Sequence, residues 1–216
     1  MPEYLDYFTD LVDEDYPPTF SMEEFNKINS YAGKLRYANT HLIKLASGSG
    51  RTVFKIDNEK VLKVAKNKRG IAQNEIESER YLQQYDLIAR VFDSDRENDY
   101  WLEMELAKKV GKKRFEQLSG IKIDELDDYL TYRRQQSGRS IYFKREFSPE
   151  FITKMQNNEF ISELDSLNAD YDFATGDESR LSTWGEVLRG GKPQLVLVDF
   201  GLTNNVYNDF YKVELK

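Results

Sequence analysis

The sequence predicts an α+β protein of two lobes, a small antiparallel sheet followed by a mainly helical half. Three observations carry this. Between residues 42 and 104, short runs rich in Val, Ile, Leu and aromatic residues recur at strand length, with one helical stretch among them. From 107 to about 170 the apolar spacing becomes helical. A last hairpin pattern occupies 184–198. Strands, helix, strands, helices and a late hairpin are the order expected of segregated α+β elements.

The elements follow in sequence. Residues 1–16 carry six acids and no base, and Pro17-Pro18 closes that stretch, so an acidic arm is expected over 1–20, with a short helix in 1–16 as the alternative. Ser21 and Glu24 have the spacing of a capping box and predict a helix over 22–37. Strands are expected at 41–45, 52–56 and 60–64, joined by Ser47-Gly48-Ser49-Gly50 and by Asp57-Asn58-Glu59. A helix over 71–85 and strands near 90–92 and 100–104 complete the first lobe, 21–106. Helices over 112–118, 123–136 and 149–168 make up most of the second, 107–216, with Ser148 and Pro149 suited to the cap and first position of the last of them. The hairpin places strands at 184–188 and 194–198 around the turn 189–193 and runs into Asp199-Phe200-Gly201.

Composition narrows the function classes. The chain of 216 residues is 39% apolar and 32% charged, enough for a real core. A net charge of −7 argues against general attraction to nucleic acid. With no cysteine and His41 as the single histidine, thiolate and histidine-rich metal sites are excluded. No apolar run approaches the roughly 18 residues of a membrane span, and the acidic start has no signal-peptide pattern. The expectation is a soluble protein of a reducing compartment, with no membrane partner.

Several residues sit where chemistry would need them. The glycines of Ser47-Gly48-Ser49-Gly50, between two strands, allow backbone N–H groups to approach phosphates. Lys63 follows Val53 by ten residues and is flanked by apolar residues in a short strand, an unusual place for a solvated charge. The next helix offers Glu75, Glu77 and Glu79 as partners for it. Residues 100–104 run into Glu105-Leu106-Ala107. The apolar strand 194–198 delivers Asp199 to its end with a glycine close behind, an arrangement in which a carboxylate can hold Mg²⁺ on nucleotide phosphates. Upstream, Asp177 follows Thr175-Gly176, and Ser182 stands five residues on.

In this order the pieces resemble the protein-kinase-like superfamily, in a compact form similar to small kinase-like proteins of phages and bacteria. The match spans about residues 42–203, with the helical middle matching by length and class. The resemblance implies a two-lobed fold with an antiparallel-sheet N-lobe holding one helix, a reduced helical C-lobe, and ATP with Mg²⁺ between the lobes. It assigns Gly48, Ser49, Gly50 and Val53 to the phosphate loop and Lys63 with Glu77 to the phosphates and their ion pair. Met104 takes the gatekeeper position, with the backbone of Glu105 and Ala107 facing the base. Asp177 becomes the residue that orients the acceptor hydroxyl, with Lys63 the other catalytic group, and Asp199 with Ser182 the metal ligands. It also implies a cytoplasmic protein, in the host cytoplasm or with the virion if the source is a phage.

Departures from the family pattern divide the functional expectation. Ala46 and Arg51 stand where two of the loop glycines belong, Thr175-Gly176 replace His-Arg, and Ser182 replaces the metal-binding Asn. Only fifteen residues follow Gly201, too few for an activation segment and peptide-docking helices, so a protein substrate docked in the usual way is not expected. One reading is an ATP- and Mg²⁺-dependent phosphotransferase, or a nucleotidyltransferase using the same parts. The other is a pseudokinase serving as a binding, scaffold or phage structural or host-interaction module. Retention of Lys63, Glu77 and Asp199 tips the balance toward nucleotide binding. Two outlying features have a plain reading beside a sharp one. The run Lys108, Lys109, Lys112, Lys113, Arg114 is a solvated face or an anion grip, and the acidic arm is a disordered terminus or a protein-partner site.

Overall fold

The computed structural model describes residues 16–138 and 145–212. Its contacts divide the chain into two units. One takes residues up to Asn74 together with Phe92–Leu106, and the other takes Glu75–Val91 together with everything from Ala107 on. The class is α+β, and all paired strands within the two sheets whose register is given run antiparallel.

The first unit is a five-stranded sheet with two helices over one face. Helix α1 spans Met22–Asn26 and α2 spans Tyr31–His41. Strands β1 (Ile43–Ser47), β2 (Arg51–Lys55) and β3 (Lys60–Ala65) follow, then helix α3 (Lys68–Glu77), β4 (Val91–Ser94) and β5 (Trp101–Glu105). The sheet order is β1-β2-β3-β5-β4, which puts β3 in the centre between β2 and β5. Side chains alternate across a strand, so register sorts them by face. Phe54, Leu62, Val64 and Trp101 pack with Phe25, Ala38 and Leu42 into one core, which α1 and α2 cover.

Two sequence expectations change here. The single helix over 22–37 is broken at Ser30, whose hydroxyl accepts the Gly33 N–H at 3.1 Å and starts α2 afresh. Ser21 does cap α1, but the box is relayed. Tyr37 accepts the Ser21 N–H and donates its own hydroxyl proton to Glu24. Residues 16–20, assigned by sequence to the acidic arm, begin the core instead. Tyr16 stacks on Phe20 with ring centroids 4.6 Å apart, and its hydroxyl donates to Glu103. The arm over 1–15 lies outside the described residues.

The second unit opens with the end of α3, a 3-10 turn at Arg80–Gln84, and the two-residue strand β6 (Lys108–Lys109). Helices α4 (Lys112–Ser119), α5 (Ile123–Gln136), α6 (Pro149–Gln156), α7 (Glu159–Asp170) and α8 (Thr175–Glu178) follow. A 3-10 turn at Leu181–Thr183 leads to β7 (Trp184–Arg189), β8 (Lys192–Leu197) and α9 (Asn204–Phe210). Ser148 and Pro149 start α6 as expected, but the helix expected over 149–168 is two helices, because Asn158 accepts the Ile161 N–H at 3.0 Å and caps α7 separately. The helix expected over 71–85 likewise ends at Glu77. The hairpin turn is tighter than expected: Arg189 pairs with Lys192, and only Gly190 and Gly191 lie between, with φ of 57° and 77°. Those positive values are what a two-residue primed turn demands and glycine supplies. Phe115, Phe160 and Trp184 form an aromatic cluster that packs α4 and α7 on this hairpin. Within the basic run past residue 107, Arg114 makes a two-pronged bond to Glu186, both at 2.7 Å, and Lys112 pairs with Asp124. Those two charges serve the fold's own acids.

No helix among the described residues is long and apolar enough to cross a membrane.

Candidate functional site

The site residues expected from sequence fall into two groups, one in each unit. In the first unit, register places Val53 opposite Lys63, Lys63 opposite Leu102, and Val61 opposite Met104. Val53, Lys63 and Met104 therefore share one face of the sheet, the face opposite the α1–α2 core. Lys63 is buried at 4% exposure and Met104 at 1%. Glu105 ends β5 opposite Lys60, and the Leu106 N–H that follows donates to Glu59 O at 2.6 Å.

The glycine loop joins β1 and β2 at the end of this sheet. Gly48 N–H donates to Arg51 O at 2.9 Å, closing the turn. A Cβ on Gly48 would come no nearer than 3.9 Å to other atoms, whereas one on Gly50 would stand 2.6 Å from Gln73 Oε1 and 3.2 Å from the Gly70 backbone. Gly48 is thus open to an approaching ligand. Gly50 is needed for close packing against the start of α3.

In the second unit the apolar run Leu195-Val196-Leu197 is buried, and residues 87–89 lie alongside it. Val198 N–H donates to Thr183 O at 2.8 Å, after which Asp199 emerges exposed and Phe200 turns back into the interior. Glu77 holds this turn. It is fully buried, and its Oε1 accepts the N–H of Phe200 at 3.0 Å and of Gly201 at 3.1 Å. Glu75 and Glu79 are exposed, so Glu77 is the one acid of the three that is built into the interior.

The Asp177 segment is tied to the same turn. Ala174 N–H donates to Leu202 O at 2.9 Å, Asn204 N–H to Asp172 O at 2.8 Å, and Phe173 bridges Thr203. Asp177 and Asp199 consequently line one small cavity with Phe173, Glu178, Thr183 and Phe200. Burial pushes the Asp177 carboxyl above the usual carboxylate range, the Arg180 guanidinium at 2.9 Å pulls it down, and the Asp199 charge pushes it up. Ser182 is exposed and does not line the cavity. Its neighbour Thr183 does, with its hydroxyl donating to Asp177 O at 2.8 Å. Ala107 packs its methyl against Gly185 of β7.

Sequence reasoning missed Glu178. It is buried, and its carboxyl is pushed up to about 7, first by burial, with Asp165 and Asp177 adding to the rise. Asn168 Nδ2 donates to its Oε2 at 3.2 Å, while Glu178 Oε1 and Asn168 Oδ1 are buried without a hydrogen-bond partner. The main chain of Glu178 is fixed by the Trp184 indole N–H, which donates to its carbonyl at 2.7 Å. The only sequence signal was its place beside Asp177.

Comparisons with known proteins add little to this geometry. No protein-family model matches the chain, and no curated protein matches it. Among solved structures it is similar to SAICAR synthase from Saccharomyces cerevisiae in complex with SAICAR. The identity is 12%, the TM-score is 0.35, and the match covers 76% of this chain and 74% of that one. A likeness of that size decides neither fold nor function.

The donor chemistry suits Mg²⁺. Asp199 offers exposed carboxylate oxygens, hard donors of the kind that ion takes. No group of three or more His, Cys, Asp or Glu that could hold a metal occurs among the described residues.

Proposed function

We propose that the protein binds ATP with Mg²⁺ in the manner of a protein kinase and transfers a phosphoryl group to a hydroxyl acceptor. The observation that carries the reading is the pairing of Asp177 and Asp199 at one cavity, with the Asp199-Phe200-Gly201 turn fixed from behind by Glu77. Support comes also from the first unit, where Lys63, Val53 and Met104 share a sheet face.

In this reading Asp199 holds Mg²⁺, which when bound neutralises phosphate charge. Asp177 orients the acceptor hydroxyl and takes its proton. Its raised pKa moves it toward the range useful for a base, and the Arg180 guanidinium opposes that rise. Lys63 offers its amino group to phosphate oxygens from a buried position on β3. Glu77 acts on the turn rather than on the reacting atoms.

The pseudokinase reading has its own observation. Ser182 stands outside the cavity, and Asp177 is engaged by Arg180. Thermal melting with ATP and Mg²⁺ tests both. A ligand at one hundred times its dissociation constant stabilises by about 2.7 kcal/mol, so a clear rise in Tm is expected at millimolar ATP. No rise ends the nucleotide reading. A rise with no ATP turnover, unchanged by Asp177→Asn, selects the pseudokinase. Turnover lost in both Lys63→Ala and Asp199→Ala proteins selects the enzyme.

A further inference from the structure

The loop Ser47-Gly48-Ser49-Gly50 is held by a third segment of the chain. A tight hairpin turn needs only its own two strands. Here the three successive carbonyls of Gly48, Ser49 and Gly50 are all taken by the turn between β3 and α3. Lys66 Nζ donates to Gly48 O at 2.8 Å, Asn67 Nδ2 to Ser49 O at 3.0 Å, and Lys66 N–H to Gly50 O at 2.7 Å. Lys66 Nζ also reaches Ser47 Oγ at 3.2 Å.

Two glycines make this contact. A Cβ on Gly70 would stand 2.1 Å from Gly50 O and 2.8 Å from Gly50 C, against backbone that has nowhere to go. Asn67 serves both sides, since its Oδ1 accepts the Gly70 N–H at 3.2 Å while its Nδ2 holds the loop. Anchorage continues behind α3. Arg51 donates to Asn74 Oδ1 at 3.4 Å, and Asn74 donates to Asp99 O at 2.8 Å.

The consequence is directional. In a trans peptide the C=O and the following N–H point opposite ways. Tying the Gly48 and Ser49 carbonyls to Lys66 and Asn67 therefore turns the N–H groups of Ser49 and Gly50 away from the β3–α3 turn and fixes their direction. Lys66 adds a positive charge to the same loop.

We propose that Lys66, Asn67 and Gly70 are positioning residues that hold the glycine loop preformed for the phosphates of the ligand, an assignment that rests on the nucleotide reading above. The loop is then a fixed cradle rather than a flap that closes on the ligand.

Asn67→Ser separates the strap from the helix cap, because serine still caps Gly70 N–H but its hydroxyl, one bond nearer the backbone than the amide nitrogen, falls short of Ser49 O. Gly70→Ala is the harsher variant. Amide hydrogen exchange and calorimetric titration with ATP–Mg²⁺ and with adenosine read the outcome. In Asn67→Ser the Ser49 and Gly50 amides are expected to exchange at least about ten-fold faster without ligand. ATP–Mg²⁺ should bind about ten-fold more weakly, with adenosine affinity unchanged. ATP affinity equal to wild type, or ATP and adenosine weakening together, overturns the proposal. Wild-type protein that binds neither ligand overturns the nucleotide reading and the loop's assigned ligand with it. Wild-type binding with an unaffected Asn67→Ser protein overturns this proposal alone.

Discussion

Glu77 accepts the backbone N–H of Phe200 at 3.0 Å across 123 positions of sequence, and the N–H of Gly201 at 3.1 Å to the same oxygen. A buried carboxylate therefore determines the path of the chain immediately after Asp199. Glu77→Ala leaves two buried donors without an acceptor, at roughly 1–3 kcal/mol each before relaxation. The expected loss is about 2–4 kcal/mol in urea or guanidinium unfolding. Glu77→Gln keeps an oxygen in place and should recover most of it. A Gln variant as unstable as the Ala variant would show that charge, not the acceptor, holds the turn.

Asp177 and Asp199 can be tested as electrostatic neighbours. Asp199→Asn removes a negative charge and should lower the Asp177 pKa. Arg180→Ala removes a positive one and should raise it. Carboxyl carbon NMR titration reads both directions, and an Asp177 that ignores Asp199→Asn would separate the two carboxylates.

Glu178 gives the fold a pH dependence. Its pKa is raised from 4.5 to about 7, chiefly by burial. Between those two values the folded state holds a proton that the unfolded state has released, so stability falls as pH rises from about 4.5 to about 7 and then levels off. At 1.36 kcal/mol per pH unit the total is roughly 3 kcal/mol. Glu178→Gln should flatten this slope and stabilise the protein at pH 8, as read by denaturant melts across pH. An unchanged slope would assign the proton elsewhere.

Gly185 is crowded on three sides. A Cβ there would meet Ala107 Cβ at 2.5 Å, Val198 Cγ1 at 3.1 Å and Lys108 O at 3.3 Å. Gly185→Ala should cost about 1–3 kcal/mol by overpacking. Adding Ala107→Gly should recover part of it, so the double-mutant cycle is non-additive. Additive losses would mean the strain falls on Val198 and Lys108 instead.

What the sequence disclosed depended on how local the signal was. The strands around Lys63 and the hairpin ending at Asp199 were legible because two-residue alternation and glycine turns are local properties. The breaks at Ser30 and Asn158 were local too, but a single polar residue inside a helical pattern reads as an exposed position until its side chain is seen capping. Asp177 and Asp199 were legible as acids, while the bonds that bring them together run between backbone groups of 172–174 and 202–204, which any sequence provides. Spacing from Asp177 points to Ser182. One residue on, Thr183 lines the cavity because the 3-10 turn sends Ser182 to solvent. Gly70 carried no signal, since its need for a bare Cα arises only from the approach of Gly50.

The first unit is assembled from two separated stretches, and β5, which pairs with its central strand β3, comes from the later one. This has a consequence during synthesis. As the chain leaves the ribosome, β3 is extruded some forty residues before Trp101–Glu105 can pair with it. Through that interval the most apolar strand of the sheet presents an open edge. Nascent chains arrested before residue 101 should therefore recruit chaperones and resist protease poorly, and those arrested once residue 105 has cleared the exit tunnel should not.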